Sequence, residues 1–283
     1  MKLLQKLFRD PLAVLCLLVV VAVVALGILA PLVAPHDPAV QNLKQKYASP
    51  SAEYPLGTDS MGRCLFSRLI WGIRTTVFLS FLTVGITIGI GCLLGMSAGY
   101  IGGIWDELVM RLCDAMLSFP QDVMILALVG ILGANTRNIV LALVLIRWAW
   151  YTRMIRNAVL QYNGKNYILF ARAAGAGRAH ILLRHILPVT LPEVLVLATM
   201  NMGSSILTIS SFSFLGLGIQ PPTPEWGVML NEAKDAMFGH PQMLLPVSVA
   251  LVVTIASFHY LGDTMQDIMH PKTEAVAEKG AAG

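Results

Sequence analysis

The chain has 283 residues, of which 56% are hydrophobic and only 13% charged, and its mean hydropathy is +0.69. A water-soluble domain carries roughly 25% charged residues to cover its surface, so this composition excludes a soluble fold and requires lipid around much of the chain. The net charge of +4 is modest and argues against nucleic acid as a partner.

A helix that spans a bilayer needs about 20 predominantly apolar residues. Residues 12–33 are the first such run, and they follow Lys2, Lys6 and Arg9. A cleaved signal peptide shows the same charge-then-apolar order, but its core is only roughly 7–15 residues long and ends in a small-x-small site. This run is longer and stops at "APHDP", so a retained anchor is expected. An outer loop is expected over residues 35–74. Within it Arg63, Arg68 and Arg74 interleave with Leu65, Phe66, Leu69, Ile70 and Trp71, the pattern of an amphipathic helix lying at the outer interface. Such a helix could be a lid anchored in headgroups or a receptor contact.

Further spans are expected at residues 75–99, 108–133, 138–159, 191–215 and 243–261, the first of these following directly on the outer loop. The 108–133 run is interrupted by Pro120 and carries Arg111 and Asp114. Six crossings put both termini on one side. Lys and Arg accumulate in cytoplasmic loops, and an inside N-terminus collects Lys2, Lys6, Arg9, Arg111, Arg153, Arg156, Lys165, Arg172, Arg178, Arg184, Lys272 and Lys279 there. Lys44, Lys46, Arg63, Arg68, Arg74, Arg137 and Lys234 then fall outside. The tail 272–283 is small and polar and is expected to be disordered. Cys16, Cys64, Cys92 and Cys113 show no CxxC or Cys/His spacing and read as packing residues.

Charge at membrane depth is costly and usually faces the protein interior. Arg147, flanked by Trp148 and Trp150, could line a translocation path or bind an anionic ligand group; equally it could pair structurally or snorkel outward. Arg111 and Asp114 share a helix face at i, i+3, and with Asp106 or Glu107 they are expected to form a structural ion network. Glu193 is expected to meet cytoplasmic water or a basic loop residue. His259, the one histidine well inside a span, reads as hydrogen-bonded packing rather than a metal ligand. No convergent His/Asp/Glu cluster marks a metal site, and thioethers such as those of Met200 and Met202 suit Cu(I) better than Ni(II).

The most basic inner segment is "FARAAGAGRAHILLRHILP", residues 170–188. Gly175 and Gly177 interrupt helix there, because glycine costs about 1 kcal/mol relative to alanine. A short helix ending near Ala174 and a second over 179–187 are expected, the second placing Leu183, Ile186 and Leu187 on one face. Pro188 and Pro192 mark the start of the next span. The segment is either a basic loop held on anionic lipid or a docking element presented to the groove of a soluble partner. Ala171, Ala173, Ala174 and Ala176 permit close approach.

Gly175, thirteen residues before the proline of "HILP", resembles the coupling-loop signature of bacterial ABC-importer permeases, with Leu169 where the family has glutamate, Phe170 in place of the first alanine and Ala171 matching the second. "LGTDSMGRCLFSRLIWGIRTT" (56–76), with Cys64 for an aspartate, is similar to the segment before the second span in the dipeptide, oligopeptide and nickel subfamily. "FLGLGIQPPTPEWGVMLNEAK" (214–234) and "HYLGDTMQDIMHP" (259–271), with His270 where aspartate is common, resemble its last outer loop and closing segment. "RWAWYTRMIRN" (147–157) looks closest to nickel-type members.

The resemblance implies an all-α integral membrane protein of the type I importer permease fold, with six transmembrane helices. A cytoplasmic coupling loop at about 163–187 would lie between the fourth and fifth. That loop would dock an ATPase through Ala171, Arg172, Ala174, Gly175, Ala176, Gly177, Leu183, Ile186 and Pro188. The path would run past Arg147, Met200, Asn201, Met202 and His259. Implied partners are a second, homologous permease, two ABC ATPases that bind the ATP, and an extracytoplasmic binding protein received at 35–74 and 216–242. The implied location is the bacterial inner membrane, both termini cytoplasmic. The chain has no GxxxxGK[ST] phosphate cradle, so it is expected to hold no cofactor and to borrow its energy. Nickel, in chelated form, or short peptides are the expected cargo. A gradient-driven secondary transporter is the alternative, although such proteins usually show internal repeats. A membrane enzyme would need an arranged partner for His180 or His185.

Overall fold

A computed structural model describes residues 7–269, and the expectations for Lys2, Lys6, His270 and the tail 272–283 lie outside the described residues. The first helix, α1 (Pro11–Ile28), starts at Asp10, whose side chain accepts the amide of Leu12 at 2.9 Å. Its lipid-facing Leu15, Leu18 and Val21 are exposed, while Ala13, Cys16 and Gly27 are buried. A helical turn (Ala30–Val33), a 3-10 turn (Leu43–Gln45) and otherwise irregular chain lead to α2 (Leu65–Ile73), which passes through a π-helical turn, Arg74–Phe78, into α3 (Leu79–Ile101).

Instead of a surface helix followed by a separate span, residues 65–101 form one 37-residue helix. At 1.5 Å per residue this is about 55 Å, well beyond a hydrocarbon core of about 30 Å. The helix is therefore longer than one crossing requires. The expected third span is two helices, α4 (Gly103–Leu117) and α5 (Gln121–Leu132), bent by 79°. Pro120, which lacks a donor and disfavours helix at the residue before it, sits at the bend.

Next come α6 (Thr136–Asn163), capped by the Asn135 side chain, and α7 (Asn166–Ala173). After the elbow, helix resumes at Arg178–Ile181, passes through a second π turn, Leu182–Ile186, and becomes α8 (Leu187–Phe214) without a break, 37 residues in all. The expected separation at Pro188 is absent. Proline clashes with the carbonyl four residues back, here that of Arg184, and the wider π turn absorbs the misfit. Helices α9 (Trp226–Ala233) and α10 (Leu245–Met269) complete the described residues. Among the described residues, five helices are long and apolar enough to cross a membrane, or six with the bent pair taken as one span.

Helices α3 and α6 meet along Gly91, Gly95 and Gly99. A Cβ on Gly95 would lie 2.5 Å from the Thr152 carbonyl oxygen, and one on Gly91 2.8 Å from the Tyr151 Cβ. Small residues at every fourth position let backbones approach where lipid offers no competing hydrophobic drive. Gly203 and Gly262 do the same for α8 against α10, facing His259 and Met200. The Tyr260 hydroxyl donates to Asp10 at 2.8 Å, which holds that carboxyl below its usual range. The start of α1 and the second half of α10 thus share one end of the bundle.

Candidate functional site

That end also carries the elbow. Gly175 has φ +81°, a left-handed conformation that side chains adopt at a cost. Its amide donates to Arg172 O and that of Ala176 to Ala171 O, both at 3.0 Å, so α7 closes in a tight turn. Ala174, Gly175, Gly177 and Arg178 are exposed. Beneath them Ile168, Ile181 and Ile186 are fully buried against Tyr151, Ile155, Val159 and Val194. Asn163 donates to Gly99 O at 2.9 Å and accepts from Arg172, whose guanidinium lies 4.9 Å over the Tyr100 ring.

Arg172 is thereby engaged within the chain. The expected shared face of Leu183, Ile186 and Leu187 is not formed: Leu183 is 62% exposed and Ile186 fully buried. The π turn between them rotates the register away from i, i+3 spacing. Leu183 instead joins Ala179, His180, Arg184 and Pro188 around a surface recess of about 480 Å³.

The expected ion network is three separate pairs. Asp106 accepts from Arg156 (Nε to Oδ1 2.9 Å), Asp114 pairs with Arg153, and Arg111 pairs with Glu107 on its own helix. An arginine finds its i−4 glutamate on the same face, while both aspartates turn to α6 and fasten α4 onto it.

Above the elbow, α6, α8 and α10 line an open-sided cavity of about 510 Å³ bordered by Trp150, Asn157, Gln161, Glu193, Met200, Asn201, Ser204, His259 and Gln266, among others. Glu193 is half-buried and accepts the Tyr162 hydroxyl at 2.9 Å; among the described residues no basic side chain pairs with it. Met202 does not reach this space. It is 2% exposed and packs in the opposite core with Val84, Ile206 and Phe258, because two residues along a helix turn through about 200°. Arg147 lines a smaller recess of about 230 Å³ with Gln121, Trp150, Tyr151, Asn201 and Ser204. Its Nη2 donates to Thr208 Oγ1 at 2.7 Å. Among the described residues no three His, Cys, Asp or Glu side chains cluster as a metal site.

The opposite end holds what sequence reasoning missed. Arg63 and Arg68 are 2% and 0% exposed, not turned to headgroups. Both pair with Asp59 (2.6 and 2.8 Å) and with Glu232 of α9 (2.9 and 2.7 Å). Glu225, fully buried, accepts from Thr76, Ser210 and the Val228 amide, and the Trp226 indole donates to Leu69 O at 3.0 Å. The available signal was an acidic residue four before Arg63, with two glutamates in the later outer loop. These contacts join the segment around residues 59–76 and that around 225–232 into one platform.

Residues 91–275 match the family described as binding-protein-dependent transport system inner membrane component, and residues 2–50 match the N-terminal TM domain of oligopeptide transport permease C. The metal-staphylopine import system permease protein CntC of Staphylococcus aureus is 41% identical over 96% of this chain and 94% of its own. The nickel transport system permease protein NikC of Escherichia coli (strain K12) is 35% identical over 84% and 86%, respectively. The glutathione transport system permease protein GsiD of Pectobacterium atrosepticum is 36% identical over 96% and 90%. With its helical membrane fold and these matches along nearly its whole length, the chain belongs to the binding-protein-dependent transport system inner membrane components, as a permease subunit of an ABC importer of the peptide and nickel group.

Proposed function

We propose that this chain forms one half of the translocation path in the bacterial inner membrane, beside a second, homologous permease. The elbow end faces the cytoplasm, with both termini, and the outer platform receives a solute-binding protein. The exposed turn at Ala174, Gly175 and Gly177, with Ala171 and Ala176 half-buried beside it and the recess next to Leu183 and Pro188, seats in a cleft of one ATPase subunit. ATP is bound there and not by this chain. Closure of the ATPases would carry the elbow as a rigid body and rock the helices between inward-open and outward-open states.

The observation that carries this reading is the sharing of two helices by elbow and cavity. Helix α6 ends at the elbow through Asn163, and α8 emerges from it unbroken; the 510 Å³ cavity lies between their adjoining halves. Any displacement of the elbow reaches Trp150, Met200, Asn201 and His259 through continuous helix.

For cargo, the lining supplies one imidazole, one carboxylate already bonded to Tyr162, and amides and thioethers. That set suits a metal ion arriving with its coordination filled, or a short peptide, better than a bare ion. The metal-staphylopine, nickel and glutathione permeases among the relatives are in keeping with both.

Gly175→Val tests the assignment. No heavy atom lies within 4 Å of a Cβ at this position, so the substitution strains only the backbone, by about 1–2 kcal/mol. The variant should insert in the membrane normally yet lose ATPase co-purification and uptake. Normal uptake by the variant would remove the docking role.

A further inference from the structure

We propose that Arg147 is a carboxylate receptor within the path, so that cargo is held by a carboxylate group while it crosses. This rests on the permease reading above and specifies its ligand chemistry. Arg147 sits in the apolar span α6, where an unpaired cation is expensive and marks a functional contact. Among the described residues no carboxylate lies within ion-pair distance of it. Its guanidinium makes one described hydrogen bond, to Thr208, and Nε is buried with no partner.

Every other arginine enclosed by this fold is matched by an acid: Arg63 and Arg68 by Asp59 and Glu232, Arg156 by Asp106. Arg147 alone among these has no acid within ion-pair distance, Asp122 acting on it only from farther off, and it stands beside a cavity. A guanidinium presents paired N–H donors in a rigid fork that matches a carboxylate. The 230 Å³ recess around it has room for a carboxylate group, with Gln121, Tyr151 and Ser204 as neighbours. It shares Trp150, Asn201 and Ser204 with the 510 Å³ cavity, which takes the body of the cargo. The Thr208 hydrogen bond takes one Nη2 donor and leaves Nη1 without a described partner.

Two sources supply such a group: an anionic metal chelate and the C-terminal carboxylate of a peptide. The test labels the purified importer assembly in nanodiscs with phenylglyoxal and reads modification at Arg147 by peptide mass spectrometry. Nickel–EDTA, an anionic chelate, and dialanine are compared with the carboxylate-free nickel–bis(histidinamide) and dialanine amide. At saturating probe, labelling of Arg147 should fall at least fivefold with a carboxylate-bearing probe and less than twofold with its carboxylate-free counterpart. Protection by nickel–EDTA alone, by dialanine alone or by both supports the inference and identifies the source. Equal protection by the carboxylate-free compounds, protection by none, or failure of Arg147 to label at all overturns it. Thr208→Val separates a structural role: protection should persist, whereas its complete loss would make the Thr208 bond the purpose of the arginine. Because labelling requires no ATP, an unprotected Arg147 in an assembly that still pumps refutes this inference and leaves the permease reading standing.

Discussion

Asp59→Asn is the sharpest probe of the outer platform. One Asp59 oxygen accepts the amides of Met61 (2.8 Å) and Arg63 (2.9 Å), and the other accepts from Arg63 Nε (2.6 Å) and Arg68 Nη1 (2.8 Å). With Glu232 the four side chains sum to zero charge. Asparagine keeps the shape but leaves two buried guanidiniums facing one carboxylate, and it directs an amide N–H at one of its former donors. Breaking a buried pair by removing one partner costs about 3–5 kcal/mol, chiefly from the charge left uncompensated. Glu107→Gln provides the internal scale. That carboxylate and Arg111 are 60% and 75% exposed, so their pair is worth no more than about 1 kcal/mol.

The assay is thermal unfolding of the purified assembly, combined with maleimide labelling of Cys64. This thiol is 2% exposed and pairs through its backbone with Thr58 at the edge of the cluster. Asp59→Asn should unfold well below both wild type and Glu107→Gln, and Cys64 should become reactive at temperatures where wild type is protected. If Asp59→Asn unfolds together with Glu107→Gln and Cys64 stays unreactive, the claim that buried charge holds the outer segments together is refuted.

Gly95→Ala should destabilise by about 1–3 kcal/mol, since the added carbon meets the Thr152 carbonyl oxygen at 2.5 Å. Gly89→Ala, in open space on the same helix, should be neutral or stabilising by up to about 1 kcal/mol; unfolding midpoints that rank the two the other way would contradict the packing. Met202→Ala should cost about 2–5 kcal/mol of stability as a buried deletion, without altering preference among cargoes. Met200→Ala, on the cavity wall, should alter uptake of different cargoes unequally, measured as the ratio of initial rates in proteoliposomes.

The membrane character and the number of spans are legible because a run of 20 apolar residues has few other uses. The glycine turn at 175 is legible because helix tolerates glycine poorly. Partners in space are not. Arg63 and Arg68 carry the spacing of a surface stripe, and Asp59 together with Glu232, more than 160 positions later, turns them inward. Apolar spacing around Leu183 assumes an α-helix, and the π turn forced by Pro188 changes its period. Met200 and Met202 look equivalent as letters but lie on opposite faces. The Gly91–Gly95–Gly99 stripe was present in the sequence as a small-xxx-small pattern, yet its opposing face on α6 is set by the fold.

Helix α6 unites these elements on the proposed reading. It is about 42 Å long and unbroken over Thr136–Asn163. Its second half is clamped twice: to α3 where Gly95 and Gly99 meet Thr152 and Arg156, and to α4 through Arg153–Asp114 and Arg156–Asp106. At its end Asn163 holds both the α3 terminus and Arg172 of the elbow. A load applied at the elbow therefore cannot bend α6 locally without breaking close backbone packing against α3 and ion pairs to α4. It must move α3, α4 and α6 as one block. Helix α8 leaves the same elbow by a different route, through a π turn in which the regular hydrogen-bond ladder is relaxed. The angle between a stiff block and a helix with a compliant base is the quantity free to change, and the cavity that holds Trp150, Asn201 and His259 lies in that angle.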